Sequence, residues 1–368
     1  MNKPTSSPQT TNKLQDAINK KGVLLADGAT GTNLFAMGLQ TGDSPELWNT
    51  DHPDRIRKLY RDFINAGSDL ILTNSFGGTH FRLGLHDAAH RVAELNTNAA
   101  KLACEVVAEC GRDVLIAGSI GPTGEILQPN GPLSIDEAAA GFLEQAKALH
   151  EGGADVLWIE TMSAREEIIA ATQACAEVPL PVVYTVSIDT NGRTMMGLTA
   201  HDVVEINSQL DTPAQAVGTN CGVGAAEVVA AISNLAVART AVDSNVPLVA
   251  KANCGIPEYV DGKIVYNGTP EIMASYAQLA ADAGAAIIGG CCGTTPVHVQ
   301  AMRDALDQRT AGNAPNLGEI VGTLGEVSKG ATAQMQGDLS VAAGSASGRG
   351  ARRSKRRRAS GSNAESAG

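Results

Sequence analysis

The stretch AGSDLIL, residues 66–72, closes one element and opens another. Gly67 stands where an apolar-striped segment stops, and LIL then runs on into TNSF without alternation. Glycine adopts the left-handed conformation that ends a helix without strain. A short continuous apolar run fits a strand buried on both faces of a parallel sheet. The junction returns as GGADVLW at 152–158, with Gly153, and as AGAAIIG at 283–289, with Gly284. One helix–glycine–strand unit is reused along the chain.

Eight such runs follow one another: GVLLADG from Gly22, DLILTNSF from Asp69, VLIAGSI from Val114, DVLWIETM from Asp155, PVVYTVSI from Pro181, AVGTNC from Ala216, PLVAKANC from Pro247 and AAIIGGCC from Ala285. Helical patterns separate them. Ile56, Leu59, Tyr60, Phe63 and Ile64 make one apolar stripe. Ser134 and Glu137 have the spacing of a capping box, and Thr269-Pro270 and Thr295-Pro296 that of an N-cap followed by proline at N1. Eight strands alternating with helices predict an α/β fold, a single (β/α)8 TIM barrel. A doubly wound sheet is the alternative, disfavoured because no GxGxxG follows the first strand.

The reading divides the chain into a flexible N-terminal segment (1–19), a barrel (20–312) and a C-terminal extension (313–368) disordered from about 326, where Gly, Ala and Ser dominate. Asp261-Gly262, between two β-prone segments, predicts a hairpin after the seventh strand. With 43% hydrophobic but only 3% aromatic residues, the core must be built from Ala, Val, Ile and Leu. A net charge of −11 argues against nucleic acid as a partner of the barrel and for small-molecule partners. The basic run Arg352–Arg358 reads either as a solvated appendage or as a lure for acidic surfaces. No secretory pattern and no membrane-length apolar run occur, so a cytoplasmic protein is expected. The sequence leaves the oligomeric state open, and a homo-oligomer is compatible with it.

Barrel enzymes place their chemistry at the C-terminal ends of the strands. Those ends here carry Asp27, Gly28 and Thr30; Phe76; Ser119; Glu160 and Thr161; Cys221; Cys254; and Cys291 with Cys292. Seven cysteines without an export signal favour metal or catalytic use over disulfides. Cys291 and Cys292 alone read as ordinary buried thiols rather than ligands. Cys221 on a second strand end shifts the balance toward a thiolate metal site, and zinc is the metal that suits one. Neighbouring residues of a strand point to opposite faces, so both cysteines can reach one ion only if the strand leaves regular geometry, which Gly290 and Gly293 permit. Cys254 is either a further ligand or a small buried residue. Cys104, Cys110 and Cys175 fall on helices.

DGATGT (27–32), AGSDLILTNSF (66–76), AGSIGPTGE (117–125), GGADVLWIET (152–161), GTNCG (218–222) and GGCCGTTP (289–296) resemble the homocysteine-binding domain family over about residues 20–310. That family includes the betaine– and S-methylmethionine–homocysteine methyltransferases and the N-terminal module of cobalamin-dependent methionine synthase. The resemblance implies a zinc ion on Cys221, Cys291 and Cys292, with homocysteine thiolate in the fourth position. It implies substrate contacts from Asp27, Glu160 and Thr161, and from the Gly28–Thr30 and Ser119 regions.

The implied reaction carries a methyl group from a small onium donor to homocysteine, giving methionine. The run DGATGTNLFAMGLQTGDSPELWN most resembles bacterial proteins assigned to betaine. S-methylmethionine, another sulfonium, or a methylcobalamin or folate partner protein are the alternatives. Aromatic rings bind quaternary ammonium ions, which makes Trp48 and Phe76 the candidate donor pocket. Animal betaine enzymes carry a tyrosine just after the second-strand Phe, where this chain has Gly77-Gly78. Two competing classes are a metal-free barrel using Asp27 and Glu160 for acid–base work and a non-enzymatic zinc- or thiol-binding protein.

Overall fold

Eight parallel strands form one sheet in the order β1, β10, β7, β6, β5, β4, β3, β2. They are β1 (Leu24–Leu25), β2 (Leu70–Leu72), β3 (Leu115–Ile120), β4 (Val156–Met162), β5 (Val182–Val186), β6 (Ala216–Cys221), β7 (Leu248–Ala252) and β10 (Ala285–Gly290). The two ends of the sheet meet: Ala26 bridges Leu70, and the Asp69 N–H donates to the Leu25 carbonyl at 2.6 Å. The sheet therefore closes into the (β/α)8 barrel that the repeated unit predicts. This computed structural model describes residues 12–188, 191–260 and 263–340. No helix among them is long and apolar enough to cross a membrane.

The repeated glycines work as expected. Gly67, Gly153 and Gly284 have φ of +103°, +100° and +102°. All five residues of the Ile56–Ile64 stripe are buried, on a helix spanning Pro53–Asn65. Ser134 and Glu137 form their capping box, and Thr269 and Thr295 cap helices that open with proline. The predicted hairpin is β8 (Pro257–Val260) paired antiparallel with β9 (Lys263–Tyr266).

Strand alternation splits the core in two. Leu24, Leu70, Leu72, Leu115, Ala117, Val156, Trp158, Val183, Ala216, Val249 and Ile287 meet inside the barrel. Their neighbours Leu25, Ile71, Ile116, Leu157, Val217, Leu248 and Ile288 pack outward under the helices. Continuing the alternation toward the strand ends, by one step on most strands and two on β6, gives the next inward layer: Ser119, Glu160, Thr185, Asn220 and Lys251. The barrel is apolar at its floor and polar at its mouth.

Both chain ends correct the sequence reading. Residues 13–21, assigned largely to a flexible segment, form the helix Lys13–Lys21, capped by Asn12. Its Leu14 and Ile18 join the interior cluster and plug the floor. Each such burial contributes about 1.5–3 kcal/mol, enough to fix a short helix. Order also runs past 326, through helices Leu317–Leu324 and Lys329–Met335. The second has no apolar stripe. Hydrogen bonds hold it instead: the Gly330 N–H donates to Asn191 Oδ1 at 2.6 Å, and Gln334 Nε2 to the Gly192 carbonyl at 2.7 Å. The reading of residues 1–11 and 341–368, including the basic run, lies outside the described residues.

Candidate functional site

The last barrel strand ends at Gly290, and a tight turn follows in which the Thr294 N–H donates to the Cys291 carbonyl at 3.0 Å. Cys291 still holds the ladder through its N–H to the Ala252 carbonyl (2.7 Å), while the Cys292 carbonyl accepts from the Cys254 N–H (2.9 Å). Gly293 completes the turn at φ +79°, where a Cβ would lie 2.4 Å from the Tyr266 ring. The two vicinal cysteines thus leave strand geometry together.

Cys221 ends β6 with φ +64°, and Thr161 on β4 has the same φ. Such conformations are strained for a residue with a side chain and persist where the surroundings enforce them. Asn220 supplies that enforcement. Its Oδ1 accepts from the Thr161 N–H (2.8 Å) and from Thr185 Oγ1 (2.7 Å). Its Nδ2 donates to Thr161 Oγ1 (2.7 Å) and reaches Cys291 Sγ at 3.9 Å. One buried amide therefore ties three strand ends to the thiol cluster.

The sulfurs of Cys221, Cys291 and Cys292 all lie within 4.8 Å of one another. Contact with Cys291 lowers the Cys221 pKa, but contact with Cys292 and burial raise it, to about 11. Cys291, raised first by its contact with Cys221, and Cys292, which Cys221 lowers but Cys291 and burial raise, both reach about 12. Three half-buried thiols whose pKa values lie far above neutrality make a poor set on their own. A divalent ion that prefers sulfur removes the conflict by deprotonating all three, so the donor set fits zinc. Cys254 is buried and its thiol donates to the Gly268 carbonyl at 3.3 Å, the packing role. A second metal-capable group among the described residues, His201, Asp202 and Glu205, lies on the outer helix Ala200–Gln209. There Asp202 is already committed to the capping box with Thr199.

Across the mouth lies an oxygen-rich arc. Ser119 Oγ donates to Glu160 Oε1 at 2.5 Å, and the Ser119 N–H donates to Thr73 Oγ1 at 3.0 Å. Gln145 Nε2 braces the carbonyls of Ser75 (2.6 Å) and Ser119 (3.2 Å) from behind. Burial pushes Glu160 above the usual carboxylate range, against the opposing pull of Lys251 and the Ser119 hydroxyl. Asp27 is turned inward: Oδ1 takes Lys251 Nζ at 2.7 Å and Oδ2 takes the Leu72 N–H at 2.7 Å. Gly28 and Ala29 abut the turn after Cys292, the Ala29 N–H donating to the Thr294 carbonyl at 3.1 Å. Thr30 is half-exposed where the helix Gly31–Ala36 begins.

The two aromatic candidates part company. Phe76 is 38% exposed at the mouth, next to Gly121. Trp48 is buried, with Arg55 4.7 Å over its ring and the edge of His52 at 4.9 Å. The cleft it lines, with Asp43, Asp51, His52, His86 and Asp87, includes neither a site cysteine nor Phe76. Its ring face is taken by the protein's own cation, and Trp48 acts as a packing anchor. A Cβ on Gly78 would lie 2.2 Å from Asn96 Oδ1 and 2.6 Å from Gln145 Nε2, so a side chain there must displace both amides.

Sequence reading missed three residues. Lys251 is a charged residue within the apolar run PLVAKANC, and alternation from Val249 places it inside the barrel. Asn220 was passed over beside its cysteine. Tyr266 folds back on the hairpin so that its phenol meets Cys292, a contact that, after burial, raises its pKa. No local pattern announces that last contact.

A closed (β/α)8 barrel with a soft three-thiol centre and a buried carboxylate at its mouth defines a class, the thiol-centred barrel enzymes. Residues 24–306 match the sequence model of the homocysteine S-methyltransferase family, and the chain belongs to that family. It is 28% identical over 315 residues to the methionine synthase of Mycobacterium tuberculosis, covering 80% of this chain and 25% of the relative. The Mycobacterium leprae methionine synthase is 26% identical over 309 residues. The chain thus spans about a quarter of the length of these relatives. Among solved structures, the metallated form of the homocysteine methyltransferase MmuM from Escherichia coli matches with a TM-score of 0.67 at 26% identity, over 80% of this chain and 99% of that one. Its apo form matches at 0.62 and 25% identity, over 80% of this chain and all (100%) of the other.

Proposed function

We propose that this chain transfers a methyl group from a small onium donor, betaine foremost, to the thiol of homocysteine, giving methionine, with zinc held by Cys221, Cys291 and Cys292. The observation that carries the reading is the convergence of these three thiols beside the Glu160–Ser119 pair. An amino acid bearing a thiol has the two ends that such a mouth can hold. When bound, zinc supplies the acidity that keeps the substrate's sulfur a thiolate near neutral pH, where a free thiol is mostly protonated.

The chain's own residues do the rest. Glu160 receives the substrate's ammonium group through Oε2, its other oxygen being held by Ser119. Thr30, at the start of the helix Gly31–Ala36 beside the Gly28–Ala29 backbone, flanks the sulfur side and takes the carboxylate. Thr161, fixed by Asn220, shapes the wall between them. Phe76 offers an aromatic face to the donor's onium group. Substitution is in line: the sulfur–methyl bond forms as the methyl–nitrogen bond breaks, and the electron pair stays on nitrogen. No acid is needed, because the leaving group is a neutral amine. A cytoplasmic setting, which keeps thiols reduced, suits this site.

Supplying homocysteine with betaine, dimethylsulfoniopropionate, S-methylmethionine or methylcobalamin in turn, and measuring methionine, tests the proposal. Betaine should give the fastest turnover. Activity with methylcobalamin alone would overturn the onium donor in favour of a carrier protein. No methionine from any donor, with zinc bound, would leave a metal-binding protein.

A further inference from the structure

The mouth holds two buried carboxylates, Asp27 at 2% exposure and Glu160 at 8%. They are not equivalent. Both oxygens of Asp27 are engaged within the protein, by Lys251 Nζ at 2.7 Å and by the Leu72 N–H at 2.7 Å. Glu160 gives only Oε1 to Ser119. Lys251 is itself 2% exposed and stands 6.0 Å from the centre of the Trp158 ring, on the apolar layer below the mouth. A buried ammonium needs anionic partners, and two are in range: Asp27 in direct contact and Glu160 nearby.

Resting on the homocysteine reading above, we infer that Lys251 is a positioning residue for the amino acid: it holds Asp27 against the barrel interior and leaves Glu160 as the one carboxylate presented to the substrate's ammonium group. The three buried charges alternate in sign, Lys251 positive with Asp27 and Glu160 as its two negative partners. The substrate's ammonium extends this series outward from Glu160. Without Lys251, two carboxylates would repel each other in a medium that screens them poorly, and one would take up a proton. Asp27 then acts on the substrate through Lys251, not by touching it.

The test compares homocysteine with 4-sulfanylbutanoate, the same thiol lacking the amino group, binding to zinc-loaded protein in a calorimeter. The ratio of the two affinities isolates the ammonium contact from the thiol contact. Wild type should prefer homocysteine. Glu160→Gln should lose about 10- to 100-fold of that preference, the worth of one charged hydrogen bond. Lys251→Met should lose roughly tenfold, with a lowered Tm, because a buried charge is left unpaired. Removing both members of the pair in Asp27→Asn/Lys251→Met should win back most of the preference and most of the Tm relative to Lys251→Met. A folded double variant no better than Lys251→Met in preference would overturn the inference, placing Asp27 on the substrate directly. Wild-type protein that binds neither thiol would overturn the homocysteine reading, and this inference with it.

Discussion

On one side of the barrel mouth β6 and β10 present sulfur; on the other, β3 and β4 present oxygen. The two arcs are built differently. The sulfur arc depends on backbone departures: β10 stops at Gly290 and Cys221 sits at φ +64°. The oxygen arc bends once, at Thr161 (φ +64°) just past Glu160, and otherwise depends on side-chain hydrogen bonds, Ser119 to Glu160 and Gln145 behind them. Three sulfurs can share a point only if the chain bends, whereas a carboxylate is placed well enough by alternation and one hydroxyl. Asn220 and Lys251 join the two halves, Asn220 through Thr161 and Cys291 and Lys251 through its pair of acids.

The sharpest way to break this division is Cys291→Ser. It should remove metal binding, with an effect beyond the roughly 100-fold cost of altering a partner behind a ligand, while Tm of the metal-free protein changes little. Zinc analysis by mass spectrometry would check it, and retained stoichiometric zinc would deny the sulfur arc its role. Glu160→Gln acts on the other side alone: KM for homocysteine should rise about 10- to 100-fold, with zinc content unchanged in the same preparation. Asn220→Ala belongs to both arcs. It should cost about tenfold in zinc affinity and also raise KM, because Thr161 loses two partners; a change confined to one arc would refute the strut. Tyr266→Phe removes only the hydroxyl beside Cys292 and should move zinc affinity or kcat by no more than about threefold.

Proton release sharpens the same contrast. The three metal-free thiols are raised to about 11, 12 and 12, so they are protonated near neutral pH. Zinc uptake should release about three protons, and affinity should rise with pH throughout the neutral range. Calorimetry in buffers of different ionisation enthalpy would count them. Release of one proton or none would mean that the thiols are not the ligands.

The sequence made the sulfur arc legible for a physical reason. Cysteine is rare, and its clustering at strand ends leaves few bland readings. The repeated helix–glycine–strand junction likewise announced the barrel, since Gly67, Gly153 and Gly284 each mark a left-handed turn that little else tolerates. The oxygen arc was legible only in part. Ser119 and Glu160 stood at the right strand ends, yet nothing local showed that Asp27 faces Lys251 across the barrel, 224 residues away. Lys251 itself was readable, as a lone charge in an apolar strand, by the alternation used for its neighbours. Tyr266 and the helix Lys329–Met335 were not, because their places depend on contacts between distant segments. Trp48 misled because an aromatic ring near a strand end resembles a donor cage until its covering arginine is seen.

The crowded Gly78, two residues after Phe76, bears on which substitutions such a barrel mouth tolerates. A side chain at Gly78 collides with the amides of Asn96 and Gln145, which also hold the loop after β2 and, through the Ser119 carbonyl, the end of β3. A lineage cannot acquire a bulky residue there in one step. It must first reshape both amides, and each of those changes loosens the wall on which Ser119 and Glu160 are mounted. The neighbouring positions are coupled in the sense that their substitutions do not add. A residue larger than glycine at position 78 therefore comes only together with changes at Asn96 and Gln145.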